Sequence, residues 1–409
     1  MQGAIGSGLM AQSASGIRAV TEHGSVPLTP SVLARAWQRA PYRLTLQWLR
    51  QDGSTAGTAV IGTRGSFAAF AADAGAKAAI LRRQAGDAAG GDHRTAPGRP
   101  SLGTIAALTR GALHRVGERW RARLLSERWS VGVSPLSIQD IAATGETGPI
   151  TWMQPVSGRC YADPFFWESA SRALCEEIMP SGRGRIAVLA QGDNGRLVCA
   201  RVLMDGPDHF SYPCTFTDTG DYLVAETIAA RATRIWRLQP DGARVLAATV
   251  AQGHALADPT LFRATGLLWL AATDLAIGAH DNLCLFHARD IAGPWVPHRG
   301  NPVKIDIGSA RPAGTPFVCA GRLIRPAQDC AAGYGAAVVL NEVLELSQDR
   351  FEERPLCRIA PDPAGPYPHG LHTLNAGAGG TTLVDGKRLV FSPAGLAGKL
   401  ARRAGVGRP

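Results

Sequence analysis

From Trp129 onward, short runs of alternating apolar and polar positions follow one another, separated by Gly, Asp, Asn and Pro. Examples are Ile186–Ala190 (IAVLA), Leu197–Met204 (LVCARVLM), Tyr222–Glu226 (YLVAE), Arg234–Leu238 (RIWRL), Leu267–Thr273 (LLWLAAT) and Asn282–Ala288 (NLCLFHA). A period of two bounded by turn residues predicts an all-β region. A loose repeat runs through it. Ala162–Phe166 (ADPFF), Ser211–Phe216 (SYPCTF), Ala257–Phe262 (ADPTLF) and Ala310–Gly314 (ARPAG) each place a polar residue or tyrosine before Pro, and these prolines are 49, 46 and 53 residues apart. A fifth start, His369–Asn375 (HGLHTLN), comes 60 residues after Pro312 when counted to His372. Each start opens a strand, a turn and a second strand. Units of about 50 residues and four strands are propeller blades. Five units over residues 129–392 predict a five-bladed β-propeller.

Before Trp129 the pattern is weaker. Residues 1–100 contain an alternating run at Tyr42–Trp48, a second short candidate at Thr58–Ile61 and an Ala-rich, helix-like stretch to about Arg83. Either a small α/β unit or a partly disordered segment accounts for this. Gly86–Pro100 (GDAAGGDHRTAPGRP) reads as a linker, rich in Gly, Asp and Pro. Residues 101–128 predict a basic amphipathic helix. Ile105, Leu108, Ala112, Val116, Trp120 and Leu124 recur at nearly helical spacing, with Arg110, Arg115, Arg119, Arg121 and Arg123 around them. Such a helix either packs on the main domain with a solvated arginine face or makes a peripheral membrane contact. Residues 393–409 read as a basic tail.

Composition bounds the function classes. With 45% hydrophobic and 19% charged residues, the 409-residue chain has the material for a core, which excludes wholesale disorder. No apolar run approaches the ~18 residues of a transmembrane helix. The start, MQGAIGSGLMAQSAS, lacks the basic and apolar regions of a secretory signal, so a cytoplasmic location, at most membrane-peripheral, is expected. The net charge of +10 is an arginine effect, since only four of the 43 basic residues are lysine. That usage suits a GC-rich bacterial genome; the other reading is affinity for anionic lipid, phosphate or nucleic acid. None of the eight cysteines stands at C-x-x-C spacing, so zinc is not expected and the thiols read as reduced and mostly buried.

The candidate chemistry follows from the repeat. A blade's innermost strand lines the central channel, and its first residue tolerates Pro because it need not donate to a ladder. Asp163, Tyr212, Asp258, Arg311 and His372 should therefore converge on one axial pocket. Asp163, Asp258, Glu226 and Glu342 are the candidate catalytic carboxylates; Glu226 ends a second strand, as Glu176 and Glu177 do. Glycoside hydrolysis needs two carboxyl groups across a sugar, one kept protonated by its surroundings. An Asp before Pro also caps turns, so each has a structural alternative. Arg311 and Arg325 suit a carboxylate or phosphate, or stitch blades together. With Gln328, Asp329, Tyr334, His209, Tyr212 and His372 they make up the candidate substrate-binding set. Trp295 is either a sugar platform or inter-blade core. No phosphate loop, dinucleotide fingerprint, metalloprotease helix, nucleophile elbow or calcium loop is present, and no metal ligand set is readable. RNA-binding aromatics are absent as well. Neither a cofactor nor a nucleic-acid partner is expected, and the chain is expected to be a monomer.

Taken in order, ADPFF with Glu176-Glu177, HFSYP (His209–Pro213), AET (Ala225–Thr227), ADPTLF, GPWVPH with NPV (Gly293–Val303), ARPAG, RPAQDC with Tyr334-Gly335, and HTLN resemble one domain. It is the N-terminal domain of the glucosamine inositolphosphorylceramide transferase family, itself similar to the five-bladed propellers of arabinanase- and xylosidase-type glycosidases. The resemblance covers about Trp129–Phe391. It implies a carbohydrate-active pocket directed at a glycosyl unit of a polysaccharide or glycolipid headgroup, or else a non-catalytic glycan-binding domain that supports a separate glycosyltransferase. The stretch after Phe391 is too short to be that transferase domain. By the same resemblance Asp163 is the base, Asp258 stands one blade later than the pKa-tuning Asp of the glycosidases, and Glu226 or Glu342 is the acid.

Overall fold

The computed structural model describes residues 16–391 apart from 23, 39–41, 51, 87–101, 155, 169–170 and 240. The linker from residue 87 on and the 393–409 tail lie outside them. The chain divides into two compact units, Met1–Arg115 and Val116–Pro409.

The first unit is α/β. Gly16–Thr21, Gly24–Pro27, Arg43–Leu49 and Thr55–Gly62 form an antiparallel sheet in the order second, first, third, fourth. Alternation puts Leu44, Leu46 and Trp48 on its buried face, where Phe70, Ala74 and Leu81 of helix Phe67–Gln84 are also buried. Ser66 caps that helix by accepting the Ala69 N–H. The amphipathic helix spans Leu102–Leu124 and crosses the boundary between the units. Its buried positions in the first unit are Thr104, Ala107 and Gly111, whereas Ile105 and Val116, read as part of its apolar stripe, are each 47% exposed. Gly111 is chosen over a larger residue because the Trp37 ring lies where a Cβ would stand. Arg110 is exposed; the side chains of Arg115, Arg119, Trp120, Arg121 and Arg123 lie outside the description. No helix among the described residues is long and apolar enough to cross a membrane.

The second unit is a five-bladed propeller. Blade 1 is Cys160–Trp167, Arg172–Ile178, Gly184–Gln191 and Leu197–Met204. Blade 2 is Ser211–Thr217, Asp221–Glu226, Thr233–Leu238 and Arg244–Val250. Blade 3 is Leu256–Ala264, Leu267–Asp274, Asn282–Ala288 and Val296–Pro297, with Lys304–Ile305 also pairing its third strand. Blade 4 is Phe317–Cys319, Arg322–Asp329, Ala337–Leu346 and Phe351–Ile359. Blade 5 takes its inner strands, Leu374–Ala376 and Thr382–Phe391, from the end of the unit and its outer strands, Leu125–Ser134 and Thr151–Trp152, from the beginning. Ten residue pairs, from Thr382–Ser134 to Phe391–Leu125, join the two ends. The ring is closed by a hydrogen-bonded ladder within a blade, and the inner strands of the blades leave only short, protected edges at the channel.

Blades pack face to face through separate apolar clusters. Leu174, Ile186 and Val188 meet Leu223 and Ala225 between blades 1 and 2. Val224 and Ile235 meet Leu261 and Leu270 between blades 2 and 3. Trp269 and Leu283 meet Leu346 between blades 3 and 4, and Ile324 and Leu340 meet Leu374 and Val384 between blades 4 and 5. Val131 and Leu383 meet Tyr161 and Ala187 between blades 5 and 1. Trp295 packs on the second of these clusters and donates to the Ile291 carbonyl, so it is inter-blade core rather than a sugar platform. The eight cysteines are free thiols.

The closing ladder has a narrow tolerance. A Cβ on Gly386 would run into the Trp152 ring and come 2.8 Å from the Tyr367 Cβ. Overpacking of this kind costs about 1–3 kcal/mol. Gly386→Val is expected to destabilise the propeller by that amount, read as a lower urea midpoint at unchanged slope; an unaltered midpoint would show that this junction does not limit stability.

Candidate active site

Three blade starts share one backbone device. In Ala162–Phe165, Ser211–Cys214 and Ala257–Thr260 the inner strand carries one residue more than its partner, so Asp163-Pro164, Tyr212-Pro213 and Asp258-Pro259 are bulged out of the ladder. Asp163, Tyr212 and Asp258 have φ of 53°, 46° and 50°. A left-handed conformation costs an L-residue roughly 1–2 kcal/mol. Repeated strain at equivalent positions marks where the fold aims a side chain. The residue opposite each start lies at or within two residues of the end of the second strand: Glu176 faces Ala162, Glu226 faces Ser211 and Thr273 faces Ala257. In blade 4 the Gln328 N–H donates to the Arg311 carbonyl. In blade 5 the Thr373 and His372 N–H groups donate to Asp385. The ring therefore has two tiers, blade starts and second-strand ends.

Asp258 is its most constrained member. Arg311 grips it with Nε at 2.5 Å and Nη2 at 3.1 Å, and the Gln328 amide donates to it at 2.6 Å. Arg311 also donates from Nη1 to the Ala279 carbonyl at 2.7 Å. The Asp258 N–H in turn donates to Glu226 Oε2 at 2.8 Å. Glu226 is buried and makes no ion pair among the described residues. Burial, and next the Asp258 charge, push its carboxyl up to about 7, against the partial relief of Arg311.

The second cluster closes the ring between blades 5 and 1. His372 Nδ1 is 2.5 Å from Asp385 Oδ2, and its Nε2 is 3.7 Å from Asp163 Oδ1. Asp385 also accepts the backbone N–H groups of Asp163, His372 and Thr373. The Thr373 hydroxyl donates to Asp163 at 2.7 Å. Burial pulls the His372 imidazole down, but Asp385 and Asp163 outweigh it and hold it up at about 9. Burial pulls Asp385 up, and the imidazolium beside it holds it below the ordinary carboxylate range. Asp163 lies well above that range, because burial and the charges of Asp385, Glu176 and Asp258 outweigh the imidazolium. Ligand atoms of Asp163, His372 and Asp385 lie within 4.8 Å of one another. The short Nδ1 contact and the three amides on Asp385 suit a buried imidazolium–carboxylate pair rather than a cation, which would have to displace the His372 proton.

Tyr334 lies across the ring. Arg311 stands over its ring at 5.0 Å, His372 meets it edge-on at 5.2 Å and His280 is 5.5 Å away. Trp129 stacks on His372, with centroids 4.0 Å apart, and meets the Tyr334 ring edge-on at 6.1 Å. Gly335 (φ +56°) permits this close approach, because a Cβ there would come 2.7 Å from the His372 Cβ. His209 is 47% exposed at the rim and pairs with Glu176 at 3.0 Å.

Other candidates lie elsewhere. Glu342 is bound by Arg354 at 2.7 Å, across to the outer strand of blade 4, and has no contact with Asp163 or Asp258 among the described residues, so it stands apart from the carboxylate ring. Arg325 is buried against Glu353 at 2.6 Å and the Ser309 and Ala310 carbonyls, with Lys304 on the same glutamate, so it holds blade 4 together rather than meeting substrate. Asp329 is tied to Arg358 at 2.9 Å. Tyr212 is fully buried, its hydroxyl 2.9 Å from Thr260 and its ring edge-on to Phe165, which removes it from a substrate surface. Glu177 is held by Arg159, Arg185 and Tyr161. Asp385 was not among the sequence candidates, because Val384-Asp385-Gly386 reads as a turn; it lies inside the ten-residue strand Thr382–Phe391. Its place opposite a blade start, matching Glu176 and Glu226, was the signal that could have found it.

Residues 160–360 match the family described as glucosamine inositolphosphorylceramide transferase 1, N-terminal. The propeller is similar to that domain. Curated relatives of that name include one from Oryza sativa subsp. japonica, 26% identical over 257 residues, covering 56% of this chain and 34% of the relative. One from Arabidopsis thaliana is 28% identical over 159 residues, covering 37% and 21%. The alignment with the rice relative thus spans about a third of that protein's length. Similar solved structures include an exo-β-1,3-galactanase from Phanerochaete chrysosporium with galactose, with TM-score 0.39, 15% identity and coverage of 50% of this chain and 53% of that one. A family 117 glycoside hydrolase from Zobellia galactanivorans has TM-score 0.40 and 13% identity, covering 66% and 92%.

The pairing of His372 with Asp385 sets a titration. In Asp385→Asn the imidazole loses its strongest charged partner while its burial remains. Its NMR titration is expected to move from about 9 down to or below the ordinary histidine range. A midpoint that stays put would mean that Asp163 alone holds the proton.

Proposed function

We propose that the axial pocket carries out glycosidase-type acid–base chemistry on a glycosyl unit of a bacterial polysaccharide or glycolipid headgroup. One observation carries this reading: Asp258 is clamped by Arg311 and Gln328, while Glu226, one hydrogen bond away, is buried without an ion pair among the described residues. A carboxyl group in that position holds a proton near neutral pH, as a general acid must. Glu226 gives this proton to the leaving glycosidic oxygen as the bond to the anomeric carbon breaks. Asp258 tunes it by opposing a second negative charge. Asp163, with its raised proton affinity, is a strong base once ionised and takes the proton of the incoming hydroxyl, whether from water or a second sugar. His372, Thr373 and His209 stabilise or position the charges that change. The names of the curated relatives support a glycosyl unit carried on a lipid headgroup as the substrate class.

A non-catalytic glycan-binding role for the same pocket has one observation in its favour. Asp258, Asp385 and Glu176 each face a basic partner, and Tyr334 lies across them. Such a pocket offers fixed hydrogen-bonding groups to sugar hydroxyls without needing to move protons.

A panel of glycans and glycolipid headgroups, assayed for binding and for turnover, separates the two. Glu226→Gln and Asp163→Asn are expected to bind as wild type does and to lose about 100-fold or more in turnover. Wild-type turnover is expected to fall as pH rises through about 7, where Glu226 gives up its proton. Binding without turnover in all three proteins would leave a recognition module.

Stability carries the same signature. The folded carboxyl at about 7 stands above its ordinary 4.5, so between those values the folded chain holds a proton that the unfolded chain releases. Stability from this group is therefore greatest below about 4.5 and falls as pH rises through 7. Glu226→Gln is expected to flatten that part of a melting-temperature profile. A profile unchanged by the substitution would place the titration elsewhere.

A further inference from the structure

A cavity of about 540 Å³ lies in the propeller unit where blade 5 meets blade 1, apart from the carboxylate ring. Arg128, Arg159, Arg388, Trp129, Tyr161 and Tyr367 are among its lining residues, and no Asp or Glu lines it. Arg128 and Arg388 stand directly opposite each other in the closing ladder. Like charges facing across an antiparallel pair are destabilising. No carboxylate relieves them among the described contacts: Arg128 reaches only the Cys160 sulfur, at 3.8 Å, and Arg388 only the Tyr367 ring, at 5.8 Å. Glu127 is turned away, bonded to the Trp129 indole N–H and 3.7 Å from Lys387. Arg159 is paired with Glu177, but that glutamate is shared with Arg185. The cavity therefore gathers an excess of positive charge beside aromatic faces.

We propose that this cavity is a binding site for an anionic sugar. Arg128 and Arg388 hold its phosphate or carboxylate, Arg159 supplies a third guanidinium, and Tyr367 gives the ring an apolar face. Guanidinium groups suit the planar oxygens of both anions, and the volume fits the common range of roughly 300–1,000 Å³ for small-molecule sites. The anion relieves the repulsion between the facing arginines, so binding and stability rise together. The site does not depend on the chemistry proposed for Glu226 and Asp163.

Titration calorimetry on the full chain tests this with glucose 6-phosphate, glucuronate, inorganic phosphate and glucose. At least one anionic sugar is expected to bind tenfold or more tightly than glucose and more tightly than inorganic phosphate. Binding of only one names the anion. Arg388→Gln and Arg128→Gln are each expected to weaken that binding tenfold or more, while Asp163→Asn leaves it unchanged. Without ligand, Arg388→Gln is expected to melt no lower than wild type, since it removes a repulsion, and to lose the rise in melting temperature that the anionic sugar gives wild type. Equal binding of glucose, no binding of either anionic sugar, or binding that survives both arginine substitutions would overturn the proposal.

Discussion

The axial site depends on an imbalance of buried charge. Five carboxyl groups, Asp163, Glu176, Glu226, Asp258 and Asp385, converge, and among the described residues the buried cations in direct contact with them are Arg311 and His372. Burying an unpaired carboxylate is costly, and a carboxyl in that position keeps a proton instead. Arg311 is spent on Asp258 and His372 on Asp385, while Glu176 takes His209 at the rim. Asp163 and Glu226 are left over, and burial raises the proton affinity of both. Which carboxyl groups gain a cation thus follows from which of them the backbone lets the cations reach.

That reach is set by the blades. The left-handed residue before Pro lifts Asp163 and Asp258 out of their ladders and turns their N–H groups onto Asp385 and Glu226. Each of those acceptors ends or lies within a second strand, on a neighbouring blade in the first case and on the preceding blade in the second. The ring is therefore bonded from blade to blade at its axis, while the apolar clusters bond it from blade to blade further out. Strain at the bulge, of order 1–2 kcal/mol per residue, is small against the burial of those clusters.

Much of this was legible in the sequence. Prolines recurring at nearly constant spacing gave the blade count, and the residue before each one gave Asp163, Asp258 and Arg311. The assignments that failed share a cause. Arg325 and Asp329 stand an odd number of places from Gln328 along one unbroken ladder, so the pleat turns them to the other face of the strand. Glu342 sits on a third strand, beyond the tier that reaches the axis. Asp385 was hidden because Asp-Gly is also the commonest hairpin signal, and only its partner Val131, some 250 residues earlier in the chain, shows that it continues a strand. The N-terminal sheet was undecidable for a different reason. Its core rests in part on helix Phe67–Gln84, whose Ala-rich sequence carries little periodic contrast.

The closing blade also joins the two pockets. Trp129 stacks on His372 from one side and lines the arginine cavity. Lys387, next to Arg388, is buried under the same indole and donates to the Tyr334 carbonyl. Alternation along Thr382–Phe391 thus turns Asp385 and Lys387 toward the axis and leaves Arg388 facing the cavity. One strand carries the anion of the buried imidazolium pair, the cation beneath the tyrosine roof and a guanidinium of the neighbouring cavity. Its register against Leu125–Ser134 fixes all three at once, so an error of one residue in the ladder that closes the ring would exchange the faces and misplace every one of them.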